Sequence, residues 1–399
     1  MKHASHAIII GGGIGGPAAS LFLRRAGIKS QIFEAYPEPT TIGGGFQIAP
    51  NGMRALKALG LADRVHAAGV TSSSFVFRNQ QGKVIARIDV SESGHGVTIL
   101  RSTFHRILLD EIGRQGVPVH YGKRLCGIEY EEKYVVARFE DGSVERGDLL
   151  LAFDGVHSRA RSLILPDHRS PRYTGFLGIG GFAQTENIMP LEPQDAHRLN
   201  FTVGSRFQFG YAMVSTAPTR WGWWTHLPQE QELTRTELQV IAEDDMRDRV
   251  LSAFKSWHSP IEALVSTTPR IMRTAIYDIP SLPAWHVGRV MLLGDAAHAM
   301  SPAGGQGAAL ALEDAMLVGK FLAGRSRPEE AFAKVESVLR LRAERMVKQA
   351  TENDQRQIKE LGPFGQWLRD RMFPLFAPVI ARELRRQYSS LEPICNRAA

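Results

Sequence analysis

The chain has 399 residues, 43% hydrophobic and 22% charged, which excludes a wholly disordered protein and allows two domains with cores of their own. Its 48 Lys and Arg against 41 Asp and Glu leave +7, a mild surplus that favours anionic small molecules, and no dense basic run marks a nucleic-acid groove. Two cysteines, Cys126 and Cys395, cannot form a disulfide framework, and no apolar run reaches the roughly 20 residues of a spanning helix, so a soluble protein of the cytoplasm is expected.

Ala7–Ile10 is a short, mostly β-branched run that predicts a buried parallel strand. Glycines follow, then helical periodicity over Pro17–Ala26 and a second strand at Ser30–Glu34, the order of a right-handed βαβ unit. A helix is expected at Asn51–Leu59, a hairpin over Phe75–Val90 turning at Gln81-Gly82, and a helix over Ser102–Gly113. Val117–Asp148 predicts three strands with Asp141-Gly142 as a tight turn, and Leu149–Phe153 another buried strand. From Tyr173 to Met272 the pattern changes to alternating segments, such as Arg206–Val214 and Arg220–Thr225, with a helix near Glu243–Trp257. The buried-strand pattern returns at Val290–Leu293, and a helix follows over Gly307–Ala323. The chain therefore reads as an α/β protein with a discontinuous first domain, residues 1–172 and 273–327, and an inserted, mainly antiparallel domain, residues 173–272. Residues 328–399 form a helical segment: Pro328–Glu360 is a long charged helix, and Pro363–Tyr388 a helix that packs on the body, covering the inserted domain or meeting a second copy in a homodimer, with a membrane-surface or lid role as the lesser alternative.

Three motifs carry chemistry. Gly11-Gly12-Gly13-Ile14-Gly15-Gly16 satisfies G-x-G-x-x-G between a strand and a helix. Gly11 makes the tight turn, Gly13 admits a pyrophosphate to the backbone, Gly16 lets helix and strand pack, and the helix start at Ile14 and Gly15 offers free N–H groups. Glu34 ends the next strand, 18 residues after Gly16, where a carboxylate accepts from ribose hydroxyls. The second motif, Asp154-Gly155-Val156-His157-Ser158-Arg159-Ala160-Arg161, and the third, Gly294-Asp295-Ala296-Ala297-His298, each follow a buried strand directly, at the end where such sheets bind ligands. No metal-ligand spacing is present.

With these motifs in this order, the chain resembles the flavin monooxygenases of the aromatic hydroxylase class, typified by para-hydroxybenzoate hydroxylase, from Ile8 to about Ala350. Gly43-Gly44-Gly45-Phe46, Pro50-Asn51-Gly52 and Arg101 fit the same pattern, and the short layout is similar to urate and salicylate hydroxylases and tetracycline-inactivating enzymes. The resemblance implies a Rossmann-type FAD-binding domain with an inserted antiparallel substrate domain. It places the adenosine at Glu34, Ala35 and the main chain of Leu125 and the pyrophosphate at the glycine loop; Arg101 would neutralise the pyrophosphate or contact the ribityl chain, and Asp295 would bind the ribityl chain or a pyrophosphate-linked hydroxyl. Gly305, Gly307 and Ala308 would set backbone N–H groups against the flavin pyrimidine edge, Gly45, Phe46 and Pro302 are further cofactor-binding candidates, and Asp154 with Arg161 would serve both FAD and the nicotinamide. Ala309 departs from the pattern, since many relatives carry Asn there.

The implied reaction has two halves. NADH or NADPH binds transiently and reduces FAD, and reduced FAD takes O2 into a hydroperoxide that hydroxylates an electron-rich aromatic ring. No protein nucleophile is required, so His157 and His298, at helix starts, read as structural imidazoles. Candidates for the aromatic substrate are Gln47 and Gln306 near the flavin edge and Arg206, Gln208, Tyr211, Trp224 and His226 on the antiparallel sheet. Baeyer–Villiger or decarboxylating oxygenation is the alternative on the same fold, and an FAD-containing ligand-binding protein without turnover is the alternative from another class. A halogenase is disfavoured because Trp221-Gly222-Trp223-Trp224-Thr225-His226 lacks the Ile-Pro of the W-x-W-x-I-P motif.

Overall fold

Strand His6–Ile10 is buried from Ala7 onward and lies inside a six-stranded sheet, because an apolar run with no polar face needs cover on both sides. It pairs in parallel with Lys29–Phe33 on one side and Leu149–Ala152 on the other, and the latter pairs in parallel with Val290–Leu292. The register sets Ile10, Ala152 and Leu292 level with one another. The three motifs, far apart in sequence, therefore leave the sheet side by side at one edge. This computed structural model describes residues 4–39, 43–168, 171–183, 193–324, 327–358, 360–389 and 391.

Residues 117–148 hold four strands, not three. Val119–His120 extends the parallel sheet, and after the turn at Gly122 (φ +71°) Leu125–Tyr130, Val135–Phe139 and Val144–Gly147 make a separate antiparallel meander.

The second large sheet has seven strands in the order Met272–Asp278, Arg172–Ala183, Thr219–Pro228, Gln208–Thr216, Leu199–Val203, Ser74–Asn79, Val84–Asp89. The hairpin at 74–89 falls within the first domain as read from the sequence, yet its strand Ser74–Asn79 pairs in parallel with Leu199–Val203 and belongs to this sheet. Alternation shows that a segment is a strand, and leaves open which sheet it joins. Three short helices, Arg235–Val240, Glu243–Ala253 and Ile261–Ser266, replace the single one expected and cover one face, burying Tyr211, Trp221 and Trp223. The other face carries Ala212 and Trp224 toward Ala309 and the C-terminal helix Pro363–Ser389. The long helix Pro328–Ile358 runs alongside. Among the described residues, no helix is long and apolar enough to cross a membrane.

Candidate cofactor and substrate site

The glycine loop is shaped by packing at most of its positions. Gly11 has φ +102°, and a Cβ there would lie 2.3 Å from the Phe153 carbonyl oxygen. A Cβ on Gly15 would meet the Phe153 ring at 2.2 Å, and one on Gly16 the Gly11 carbonyl oxygen at 2.0 Å. Gly13 differs: a Cβ there meets no atom of the described residues within 4 Å, so its surface is left open. The helix Gly15–Arg25 begins here, and its first N–H groups lack intrahelical partners.

Glu34 closes the loop from the neighbouring strand. Its Oε2 accepts from the Gly12 N–H at 2.7 Å and its Oε1 from the Tyr36 N–H at 2.9 Å. Lys123 N–H donates to the Glu34 carbonyl and Gly122 N–H to that of Tyr36, both at 2.8 Å, which draws half-buried Ala35 and the main chain leading into Leu125 to the same end of the sheet.

Arg101 and His105 stand one turn apart on the helix Arg101–Arg114 and, with Gly13 and Ile14, line a cleft. His105 donates from Nε2 to the Gly12 carbonyl at 2.6 Å, and burial holds its pKa below the ordinary histidine value. Sequence reasoning missed His105; its i+4 spacing from Arg101 was the available signal. A Cβ on Gly43 would lie 2.8 Å from Arg101 Cδ, so Gly43 packs on the arginine stem.

The second motif is a capping device. Asp154 accepts from the Ser158 hydroxyl at 2.6 Å and the Ala160 N–H at 2.9 Å, and burial pushes its carboxyl up. Buried Arg161 donates to the carbonyls of Ala296 at 2.8 Å and Val156 at 2.6 Å, tying this motif to the third. In the third motif Asp295 is exposed, with Oδ1 3.8 Å from where a Cβ on Gly307 would stand. A 3-10 turn at Pro302–Gly304 and Gly305 (φ +61°) lead into the helix Gly307–Ala323, with half-buried Ala308 in its first turn. Its N-cap, Gln306, is buried, and Gln306 Oε1 has no hydrogen-bond partner among the described residues. A Cβ on Gly52 would lie 3.1 Å from Ala309 Cα, so the small residue at 309 accompanies a close helix approach.

His298 is structural in its contacts. Its Nε2 hydrogen-bonds Asp314 Oδ2 at 2.7 Å, and that oxygen also accepts from the Gly294 N–H. Burial works against the His298 charge, but the Asp314 carboxylate and hydrogen bond outweigh it, and its pKa is raised. His157 packs edge-on against Tyr277 with ring centroids 4.8 Å apart, and burial lowers its pKa.

The two sheets meet at strand Gly45–Ile48, where a Cβ on Gly45 would lie 2.7 Å from Val214 Cγ1, and the Phe46 ring meets Phe104 at 5.9 Å. Gln47 donates to Ser72 Oγ at 3.0 Å. Trp224 is half-buried over Gly210 and edge-on to Phe201. His226 Nδ1 hydrogen-bonds Asp354 Oδ1 of the long helix at 3.2 Å, both residues buried. Gln208 begins the adjacent strand, its carbonyl accepting from Thr225.

Two substrate candidates are placed elsewhere. Tyr211 is 1% exposed and packs with Trp221 under the three short helices, opposite Trp223 in register. It is three positions from Gln208 on one strand, and side chains alternate, so the two cannot share a face. Arg206 sits in the turn between Leu199–Val203 and Gln208–Thr216, its guanidinium 5.5 Å from the Phe207 ring.

A family model described as FAD binding domain matches residues 4–350. The chain is 31% identical over 398 residues to the aurachin C monooxygenase/isomerase of Stigmatella aurantiaca, covering 98% of this chain and 96% of the relative. It is 29% identical over 356 residues to the 6-hydroxynicotinate 3-monooxygenase of Pseudomonas fluorescens, covering 84% and 88%. Among solved structures it is similar to Klebsiella pneumoniae HpxO complexed with FAD and uric acid, with 26% identity, a TM-score of 0.79, and coverage of 98% and 95%.

Proposed function

The chain belongs to this FAD-binding family and is a flavin-dependent monooxygenase, and we propose that its reaction is the NAD(P)H-driven hydroxylation of an electron-rich aromatic or heteroaromatic ring. The observation that carries the reading is the level register of Ile10, Ala152 and Leu292, which brings three ligand-binding motifs to one sheet edge.

The residues fit FAD. Gly13 leaves room for a pyrophosphate beside a helix start, Arg101 brings a cation to the same cleft, and Glu34 keeps acceptor capacity for ribose hydroxyls. Asp295 would hold the ribityl chain, and the start of the helix Gly307–Ala323, with Gln306, would face the ring. The N-terminal end of that helix favours negative charge on the group it faces. Asp154 and Arg161 act one step removed, by holding the second and third motifs together. FAD, when bound, supplies electron transfer and oxygen activation.

This chain's own residues then bind and orient the substrate. Trp224 and Phe201 offer an apolar wall, and His226, oriented by Asp354, offers its other ring nitrogen to a substrate hydroxyl. The relatives named for 6-hydroxynicotinate and urate support a hydroxylated or oxo-substituted ring as substrate.

Stopped-flow flavin absorbance tests the proposal. Reduction by NADH and NADPH is recorded with and without phenols, hydroxypyridines, aromatic acids and urate. Acceleration by one class, followed by product carrying one oxygen from O2, is expected. Purified protein that neither holds nor takes up FAD refutes it.

A further inference from the structure

The C-terminal helix Pro363–Ser389 has two unlike sides. Its inner side is anchored: Phe373 lies 5.1 Å from Phe77, Asn79 donates to Asp370 at 2.9 Å, Arg385 pairs with Glu92, and Ala381 and Tyr388 are buried in the cluster that includes Trp224. Its outer side carries Phe364, Trp367, Leu368, Met372, Leu375 and Val379, spaced by three and four on one face over about 24 Å. All six stand in solvent, Phe364 at 73%, Leu375 at 68% and Val379 at 63% exposure. Scattered exposed apolar residues are ordinary, but a continuous stripe marks a surface that meets something.

Arg371 lies within this stripe, and Arg382 and Arg386 continue the same face at seven and four residues beyond Leu375 and Arg382. Arg371 and Arg382 are exposed and make no ion pair among the described residues. Asp370 is turned inward to Arg369 and Asn79, and Glu383, farther along the helix, lies 3.8 Å from Arg386. Beside Arg386, exposed Arg345 lines a groove between this helix and the long helix.

We propose that this face docks the protein on an anionic lipid surface, with the apolar side chains in the acyl boundary and the arginines on headgroup phosphates. Stripe and cations on one face match an interfacial helix. A second copy is the competing occupant. In an isologous dimer centred on the stripe, whose midpoint falls at residues 371–372, Arg371 meets its counterpart with no carboxylate in the stripe to receive either. Lipid phosphate supplies that missing charge.

The test uses the full, FAD-loaded chain. It is floated with vesicles of phosphatidylcholine alone and of equal parts phosphatidylcholine and phosphatidylglycerol, with flavin absorbance reporting folded protein. Flotation is expected on the mixed vesicles only, reversed by high salt. Leu375→Glu with Val379→Glu should abolish it, and Arg371→Ser and Arg382→Ser should each weaken it about fivefold, all with FAD retained. Wild-type protein that stays unbound to the mixed vesicles at low salt overturns the proposal. So does equal flotation on phosphatidylcholine alone, or a light-scattering dimer that the glutamates split into monomers. None of these outcomes depends on turnover, so a failure here is separable from failure of the proposed reaction.

Discussion

The edge of the parallel sheet and the inner face of the antiparallel sheet present different groups to a ligand. Beyond Ile10, Ala152 and Leu292 the surface is mostly main chain: glycine loops, helix starts, and a few polar side chains such as Glu34 and Asp295. On the antiparallel sheet it is side chains of one parity, with Trp224 and His226 turned one way and Tyr211 and Trp223 the other. Main-chain recognition depends on glycine spacing at a strand–helix junction. Side-chain recognition depends on which residues occupy a face, and the proposed substrate wall is of this kind.

Substitutions can break this contrast, beginning with the largest effect. Gly16→Ala sets a Cβ 2.0 Å from a backbone oxygen that no side-chain motion can relieve. A loss of more than about 4 kcal/mol, or of flavin altogether, is expected. A Gly16→Ala protein that leaves gel filtration with full flavin absorbance would refute the packing argument.

Asp314→Ala comes next. It strands the Gly294 N–H and buried His298, and chemical denaturation should record a loss of about 3–5 kcal/mol. The pH dependence has a definite sign. Because the folded pKa of His298 is raised above 6.5, its contribution is complete below about pH 6.5 and fades as pH rises through the folded value. His298→Asn should flatten that decline; an unchanged stability–pH profile in the variant would show that the pair does not titrate as argued.

Trp224→Ala should raise KM about thirtyfold, near 2 kcal/mol, with FAD affinity unchanged, whereas Tyr211→Phe should stay within about twofold. Equal effects of the two would remove the parity distinction. The smallest change sharpens the contrast: Gly13→Ala meets no atom of the described residues within 4 Å, so stability should move by less than about 0.5 kcal/mol. FAD affinity should nevertheless fall about tenfold by flavin titration, because the methyl takes the space a phosphate needs.

The glycine motif, Glu34 at the next strand end and the helix Gly307–Ala323 were readable because each is a local pattern. His105 was legible only as a spacing, four residues after Arg101; that it meets the Gly12 carbonyl was decided by how that helix packs against the glycine loop. That Tyr211 and Gln208 oppose one another was implicit in the period of two. Which parity is covered and which turns toward Gly45 was not, for it is settled by three short helices packing on one face and Gly45 meeting Val214 on the other.

By itself the sequence determined the strand–glycine–helix junctions, since turn conformation and helix initiation are settled within about a dozen residues by glycine freedom and apolar period. Only the tertiary structure decided that residues 74–89 join the antiparallel sheet, that three distant motifs stand level, and that one side of the last helix remains in solvent. Those facts rest on pairings across more than a hundred residues, and no local pattern names the partner a strand or a helix face will find.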